Sequence, residues 1–283
     1  MLRSDNVSFA HGGRQAAGKS RAASQDEAQG CGPVDTPGVH NVSLTIERGD
    51  IVGILGPNGS GKTTLLRLLG GLLQPAQGQI TLDGSAIGAI PRRLLARRIA
   101  MVPQETHLAF DYSVFEVALM GRYPHLGTFE IEGPRDLDIA REALAATGTA
   151  HLEDRSFATL SGGEKQRVVI ASALAQEAGI LLLDEPTASL DLGYQMDIGS
   201  LVARLNRDRG LTVVVATHDL SFATALCRSL VLLKSGTVLA SGPTRDTLSA
   251  SAIEALYGVR ADVRFDDRAH RVTVVPIERI PHA

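Results

Sequence analysis

Gly56-Pro57-Asn58-Gly59-Ser60-Gly61-Lys62-Thr63 decides the reading of this chain. The stretch fits G-x-x-x-x-G-K-[ST], a loop that wraps nucleotide phosphates. Glycines are needed there because backbone N–H groups must turn inward on the anion with no side chain in the way. In such a loop Lys62 reaches the β- and γ-phosphates, and Thr63 offers its hydroxyl to Mg²⁺. The flanks agree with it. Ile51-Val52-Gly53-Ile54-Leu55 is an apolar run of strand length, and Lys62 to Leu73 reads as a helix whose positive end faces the same phosphates. A structural glycine turn would explain the glycines but not this strand–loop–helix order.

Further apolar runs also end in polar turns. Ile180-Leu181-Leu182-Leu183 ends at Asp184, Thr212-Val213-Val214-Val215-Ala216 ends just before His218, and Val231-Leu232-Leu233 ends near Ser235-Gly236. Runs without alternation suit strands buried on both faces of a parallel sheet. Helix-like stretches such as Lys165 to Gln176 lie between them, which predicts an α/β fold. Ligands of such sheets gather at the carboxyl ends of the strands, where these turns sit. Asp184 at a strand end opposite a phosphate loop can hold Mg²⁺ through water, and Glu185 beside it can polarise an attacking water as general base. Leu160-Ser161-Gly162-Gly163-Glu164 opens a predicted helix, with Ser161 as N-cap and two glycines that let an anion approach the backbone. A second anion-binding helix start is hard to use in a subunit that already owns a phosphate loop, and pairing of two copies resolves this.

The segment from Val114 to Leu160 reads differently. Phe115 to Met120 and Leu137 to Thr147 look helical with no clear strand between, which predicts a small helical subdomain inserted in the α/β core. Gln15 to Pro37 is small, polar and aperiodic, so it cannot bury enough apolar surface to offset its ordering entropy and is expected to be a flexible insertion. Its Gly18-Lys19-Ser20 lacks the earlier glycine and the preceding strand of a phosphate loop. Past Gly242, Thr244 to Tyr257 looks helical and Val263 to Val275 could form a hairpin. The expected division is an ATPase domain over 1–242, with its helical subdomain at about 106–164 and the insertion at 15–37, followed by an extension over 243–283.

Hydrophobic residues make up 44% of the 283-residue chain, enough for a substantial core. The formal charge of −3 opposes a mainly electrostatic nucleic-acid binder. Two cysteines, Cys31 and Cys227, do not make a disulfide framework and fit a reducing compartment. No apolar run approaches the roughly 18 residues of a membrane helix, nor does the N-terminus read as a secretory signal. Any membrane role would then come through a partner.

Taken together, the motifs resemble the ATP-binding cassette (ABC) transporter ATPases over roughly Asn41 to Gly242. The resemblance implies a P-loop NTPase (RecA-like) core with an inserted helical subdomain, the ABC ATPase fold. It implies ATP binding by Gly56, Pro57, Asn58, Gly59, Ser60, Gly61, Lys62, Thr63 and Thr64, with Thr63, Gln104 and Asp184 at Mg²⁺. Gln104 matches the family's glutamine loop, Glu185 its catalytic base, and His218 the switch histidine that contacts the γ-phosphate. Ser161, Gly162, Gly163 and Glu164 match the signature that contacts the ATP of a second copy, and Asp191 matches the loop that communicates across the dimer. Where the family stacks an aromatic residue on adenine, the stretch Val7 to Gly13 carries His11, either a smaller stacking ring or a surface turn residue.

Leu119-Met120-Gly121-Arg122-Tyr123-Pro124-His125-Leu126-Gly127 and Ala255-Leu256-Tyr257-Gly258-Val259 are similar to the importers of iron–siderophores, haem and cobalamin. In that branch the first stretch meets the permease, and Tyr123 and Leu126 beside Arg122 and His125 could form an apolar docking patch with polar orientation. The implied protein is a homodimeric ATPase on the cytoplasmic side of a bacterial inner membrane. Its partners would be an integral permease and, indirectly, an external substrate-binding protein, with no nucleic acid. The alternative is a soluble ABC ATPase acting on nucleic acid or ribosomes. A single cassette without a cysteine cluster or a long coiled-coil insertion speaks against it.

Overall fold

The computed structural model describes residues 1–10, 38–106 and 108–280. His11 and the 15–37 segment therefore lie outside the described residues. The centre of the molecule is a six-stranded sheet, ordered Thr237–Pro243, Ser229–Lys234, Ile51–Leu55, Thr212–Thr217, Ile180–Asp184, Ile99–Val102. Neighbouring strands run parallel, except that Thr237–Pro243 returns antiparallel along one edge. The three central strands are buried along their whole length. Their side chains alternate between two cores. Ile51, Leu55, Leu181, Leu183, Val213 and Val215 face one, whereas Val52, Ile54, Ile180, Leu182, Val214 and Ala216 face the other. A strand covered on both faces has no solvent side to mark with polar residues, which is why its sequence is apolar throughout.

The first core is closed by the helices Gly162–Ala175, Leu192–Arg209 and Leu220–Leu226. The second is closed by the helix Lys62–Leu69 and by a four-stranded antiparallel sheet ordered Val39–Ile46, Leu2–Phe9, Gln77–Leu82, Ser85–Ala86. Here one face meets the core and the other is solvated, so Leu2, Val7, Val42 and Ile46 are buried among exposed neighbours. That sheet is not foreseen as a unit from sequence, because its first two strands are separated by the 15–37 segment.

Helices Val114–Leu119 and Pro134–Thr147 pack together with Gly162–Ala175 as the helical region expected between the strands. Val114–Leu119 starts with a capping box between Ser113 and Glu116, and Pro134–Thr147 has Pro134 in its first turn and stops at Gly148 in the left-handed region. The C-terminal part forms the helix Ala250–Tyr257 and a hairpin of Val259–Asp266 with Arg271–Arg279. The hairpin is longer than the 263–275 expected. Among the described residues no helix is long and apolar enough to cross a membrane.

Candidate active site

The phosphate loop is held in shape before any ligand is considered. Gly61 caps the helix Lys62–Leu69 at φ 100°, a conformation an L side chain strains to adopt. The loop is anchored from outside as well: Gly56 N donates to Thr217 O at 3.4 Å, and Gly236 N donates to Ser60 O at 2.9 Å. Lys62 is buried and folds back across the loop. Its Nζ donates to Gly56 O at 2.9 Å and Pro57 O at 3.1 Å, and pairs with Glu185 Oε1 at 3.2 Å. Ser60 Oγ is buried with no hydrogen-bond partner, tucked beside Gly56.

Asp184 and Glu185 end the strand beside Thr212–Thr217. Asp184 is 3% exposed, and its Oδ1 accepts from Thr63 Oγ1 at 3.0 Å. Burial pushes its carboxyl above the usual range and the charge of Glu185 adds to that, while the Thr63 hydrogen bond and the cations Arg67 and Lys62 pull the other way. Glu185 sits at φ 47°, left-handed for a non-glycine residue. Strain of this kind is held by the surroundings, here by Glu185 N donating to Ala216 O at 2.8 Å and by the carboxylate's two partners. Oε1 faces Lys62, and Oε2 lies 2.8 Å from His218 Nδ1 and accepts from His218 N at 3.3 Å. An ionised carboxylate only accepts, so the hydrogen between them belongs to Nδ1. His218 itself is half exposed at 51% of its side chain, open to a ligand on the other side.

One cleft is lined by the loop from Asn58 to Thr64 together with Gln104, Glu185 and His218. A neighbouring cleft is lined by Thr63, Gln104 and Asp184 with Arg67 and Glu105. Thr63 and Gln104 thus join the two. Hydroxyl, amide and carboxylate oxygens are the hard donors that Mg²⁺ prefers, and the Thr63–Asp184 contact already brings two of them together. The residues fit that ion. Gly56 and Pro57 do not line the cleft but serve as acceptors that position Lys62.

Ser161 to Glu164 line neither cleft, so a single chain does not join its signature to its phosphate loop. Ser161 caps the helix Gly162–Ala175 and shares a capping box with Glu164. Its Oγ donates to Glu164 Oε2 at 2.7 Å, and its N donates to the same oxygen at 2.8 Å. These bonds hold the Glu164 carboxyl below its usual range. A Cβ on Gly163 would lie 2.4 Å from the Tyr194 ring, so only glycine lets these segments meet. Tyr194 N donates to Asp191 Oδ1 at 3.0 Å, which caps the helix Leu192–Arg209. Asp191 and the signature therefore form one surface patch.

The stretch after Gln104 corrects an expectation. Arg122 does not orient a surface patch; it is 3% exposed. Its Nε donates to Asp136 Oδ1 at 2.9 Å, and its Nη1 donates to Ala175 O at 2.6 Å and Glu177 Oε2 at 2.8 Å. His125 Nε2 lies 2.9 Å from Gln176 O. Of that stretch Tyr123 and Gly127 are exposed. Sequence reading also misses Lys62–Glu185, a contact between segments far apart in the chain, and Tyr257, whose hydroxyl reaches His218 O at 3.4 Å.

The model of the ABC transporter family matches residues 39–188. The ferric enterobactin transport ATP-binding protein FepC of Escherichia coli is 41% identical over 239 residues, covering 84% of this chain and 88% of that protein. Among solved structures, a metal-chelate type ABC transporter in an inward-facing conformation aligns with a TM-score of 0.79 at 31% identity, covering 98% of this chain and 96% of that one. The ATP-binding cassette MJ0796, dimeric in a post-hydrolysis state and bound to ADP and Pi, aligns with a TM-score of 0.67 at 29% identity, covering 86% of this chain and 98% of that one.

Proposed function

Since the chain belongs to the ABC transporter family, we propose that it is the ATP-hydrolysing subunit that drives a bacterial importer of an iron chelate or a related metal chelate. The observation that carries the chemistry is the meeting of Lys62, Glu185 and His218 in the cleft of the phosphate loop. The likeness to FepC and to the metal-chelate transporter supports the cargo class.

The residues divide the work as follows. Backbone N–H groups from Asn58 to Thr63 bind the phosphates, and Lys62 leaves Glu185 for the γ-phosphate. Thr63, Asp184 and Gln104 would hold Mg²⁺, which when bound neutralises phosphate charge. Released from Lys62, Glu185 orients the attacking water and takes its proton, while His218, steadied by Glu185, faces the γ-phosphate. Ser161 and its two glycines contact the nucleotide of a second copy, and Asp191 beside them relays between the two sites. The dimeric relative supports this pairing. Closure then moves a permease bound on the cytoplasmic face of the inner membrane, and a substrate-binding protein outside delivers the chelate. Loss of Mg²⁺-dependent ATP turnover in Glu185→Gln, with ATP affinity kept, is the expected result. Near-normal turnover in that variant, or unchanged ATP affinity in Lys62→Ala, would sink the assignment.

A further inference from the structure

The C-terminal helix reaches the catalytic turn through one hydroxyl. Ala250–Tyr257 is fixed by its own ends, with Ala252 N donating to Ser249 Oγ at 3.1 Å and Gly258 closing it in the left-handed region. Ile253 and Leu256 seal its inner face into the main core. Two ties then lead from its last turn toward the phosphate site. Lys234 Nζ donates to Ala255 O. Lys234 is followed by Ser235 and Gly236, and Gly236 N holds Ser60 O of the phosphate loop. Tyr257 Oη meets His218 O at 3.4 Å. One helical turn thus connects to the loop that binds phosphate and to the turn that carries its sensor.

We infer that Tyr257 is a positioning residue for ATP hydrolysis, its hydroxyl restraining the Thr217–Asp219 turn and so biasing the placement of the His218 ring on Glu185. The inference rests on the catalytic reading of Glu185 and His218 given above. The phenol is suited to the role as a neutral donor. Burial first, and then the charges of Glu185 and Asp219, push its ionisation above the ordinary tyrosine range. At 3.4 Å the contact is longer than a well-formed O–H···O bond, so a movement of a few tenths of an ångström at His218 would tighten or release it. Such a contact acts on the placement of the ring and not on the binding of nucleotide, because Tyr257 does not line the phosphate cleft.

The test is Tyr257→Phe in the purified full chain, which keeps the ring and removes only the hydroxyl. The expected result is a fall in kcat of about three- to tenfold, with KM for ATP and the melting temperature unchanged. An unchanged kcat overturns the inference, and so does a loss of kcat that comes with a matching fall in melting temperature, which would make the role one of packing. Glu185→Gln is measured alongside. If it abolishes turnover while Tyr257→Phe has no effect, this inference alone fails. If Glu185→Gln retains turnover, the reading of the whole site fails with it.

Discussion

At the residue scale, the two acids of greatest interest are perturbed in opposite senses. Asp184 titrates higher in the fold than its usual 3.8, because burial opposes its charge. Ionising it therefore weakens the fold: the penalty is absent below 3.8 and grows as pH rises toward the folded value. Asp184→Asn removes the charge while its amide oxygen can still accept from Thr63. The variant should melt higher than the parent without nucleotide at neutral pH, with the gap closing in acid, and should lose Mg²⁺-dependent turnover. A lower melting temperature at neutral pH would refute the account of Asp184. Glu164 is the opposite case, its charged form favoured by the Ser161 hydroxyl and N–H. In the proposed pair its negative charge would lie beside the second copy's γ-phosphate and repel it. Glutamine at this position keeps the capping box and removes the negative charge. Glu164→Gln should tighten ATP-dependent pairing severalfold by sedimentation, at little cost in stability, and weaker pairing would count against that repulsion.

At the element scale, the helical region is held to the core by Arg122, which draws Pro134–Thr147 to the end of Gly162–Ala175. Arg122→Ala removes a buried guanidinium from two acids and a carbonyl. A fully buried pair broken this way costs about 3–5 kcal/mol. Asp136 and Glu177 can both reach water, at 16% and 45% exposure, so about 2 kcal/mol is the better expectation. The denaturation midpoint should fall with an unchanged slope, and no shift would mean that the guanidinium does not hold the two helices together. The same pair sets an acid limb. Asp136 titrates low beside Arg122, so its contribution is complete above the usual 3.8 and is lost as pH falls through the folded value. Arg122→Ala should flatten that limb. None of this is legible in Leu119 to Gly127, where an arginine between a glycine and a tyrosine reads as surface. Its burial depends on Asp136, Ala175 and Glu177, which the fold brings in from elsewhere. Phosphate loop, Asp184 and His218 are legible for the converse reason: each follows directly on a strand whose continuous apolar run places it at the same sheet edge. The antiparallel sheet is not legible as a unit, because Leu2–Phe9 pairs with Val39–Ile46 and Gln77–Leu82, which lie far from it in sequence.

At the scale of the whole molecule, one chain carries two proposed anion sites that do not share a lining: the phosphate cleft and the exposed start of Gly162–Ala175. In the proposed twofold pair each signature would meet the other's cleft, and a self-complementary contact would make that interaction twice. ATP would then act as the glue, and charge at Ser161 should control pairing without touching the nucleotide affinity of the unpaired chain. Ser161→Asp is the discriminating change. Aspartate is as good an N-cap as serine, so the helix start survives, but in the proposed pair the new carboxylate would face the partner's γ-phosphate. In a Glu185→Gln background, which binds ATP without turning it over, the parent should double its mass with ATP by light scattering. The Ser161→Asp double variant should bind ATP with the affinity the parent shows at protein concentrations too low for pairing, and remain a monomer. If it still pairs, the signature does not contact the second copy's nucleotide. If it loses ATP affinity as a monomer, Ser161 serves the phosphate site of its own chain and the composite arrangement is wrong.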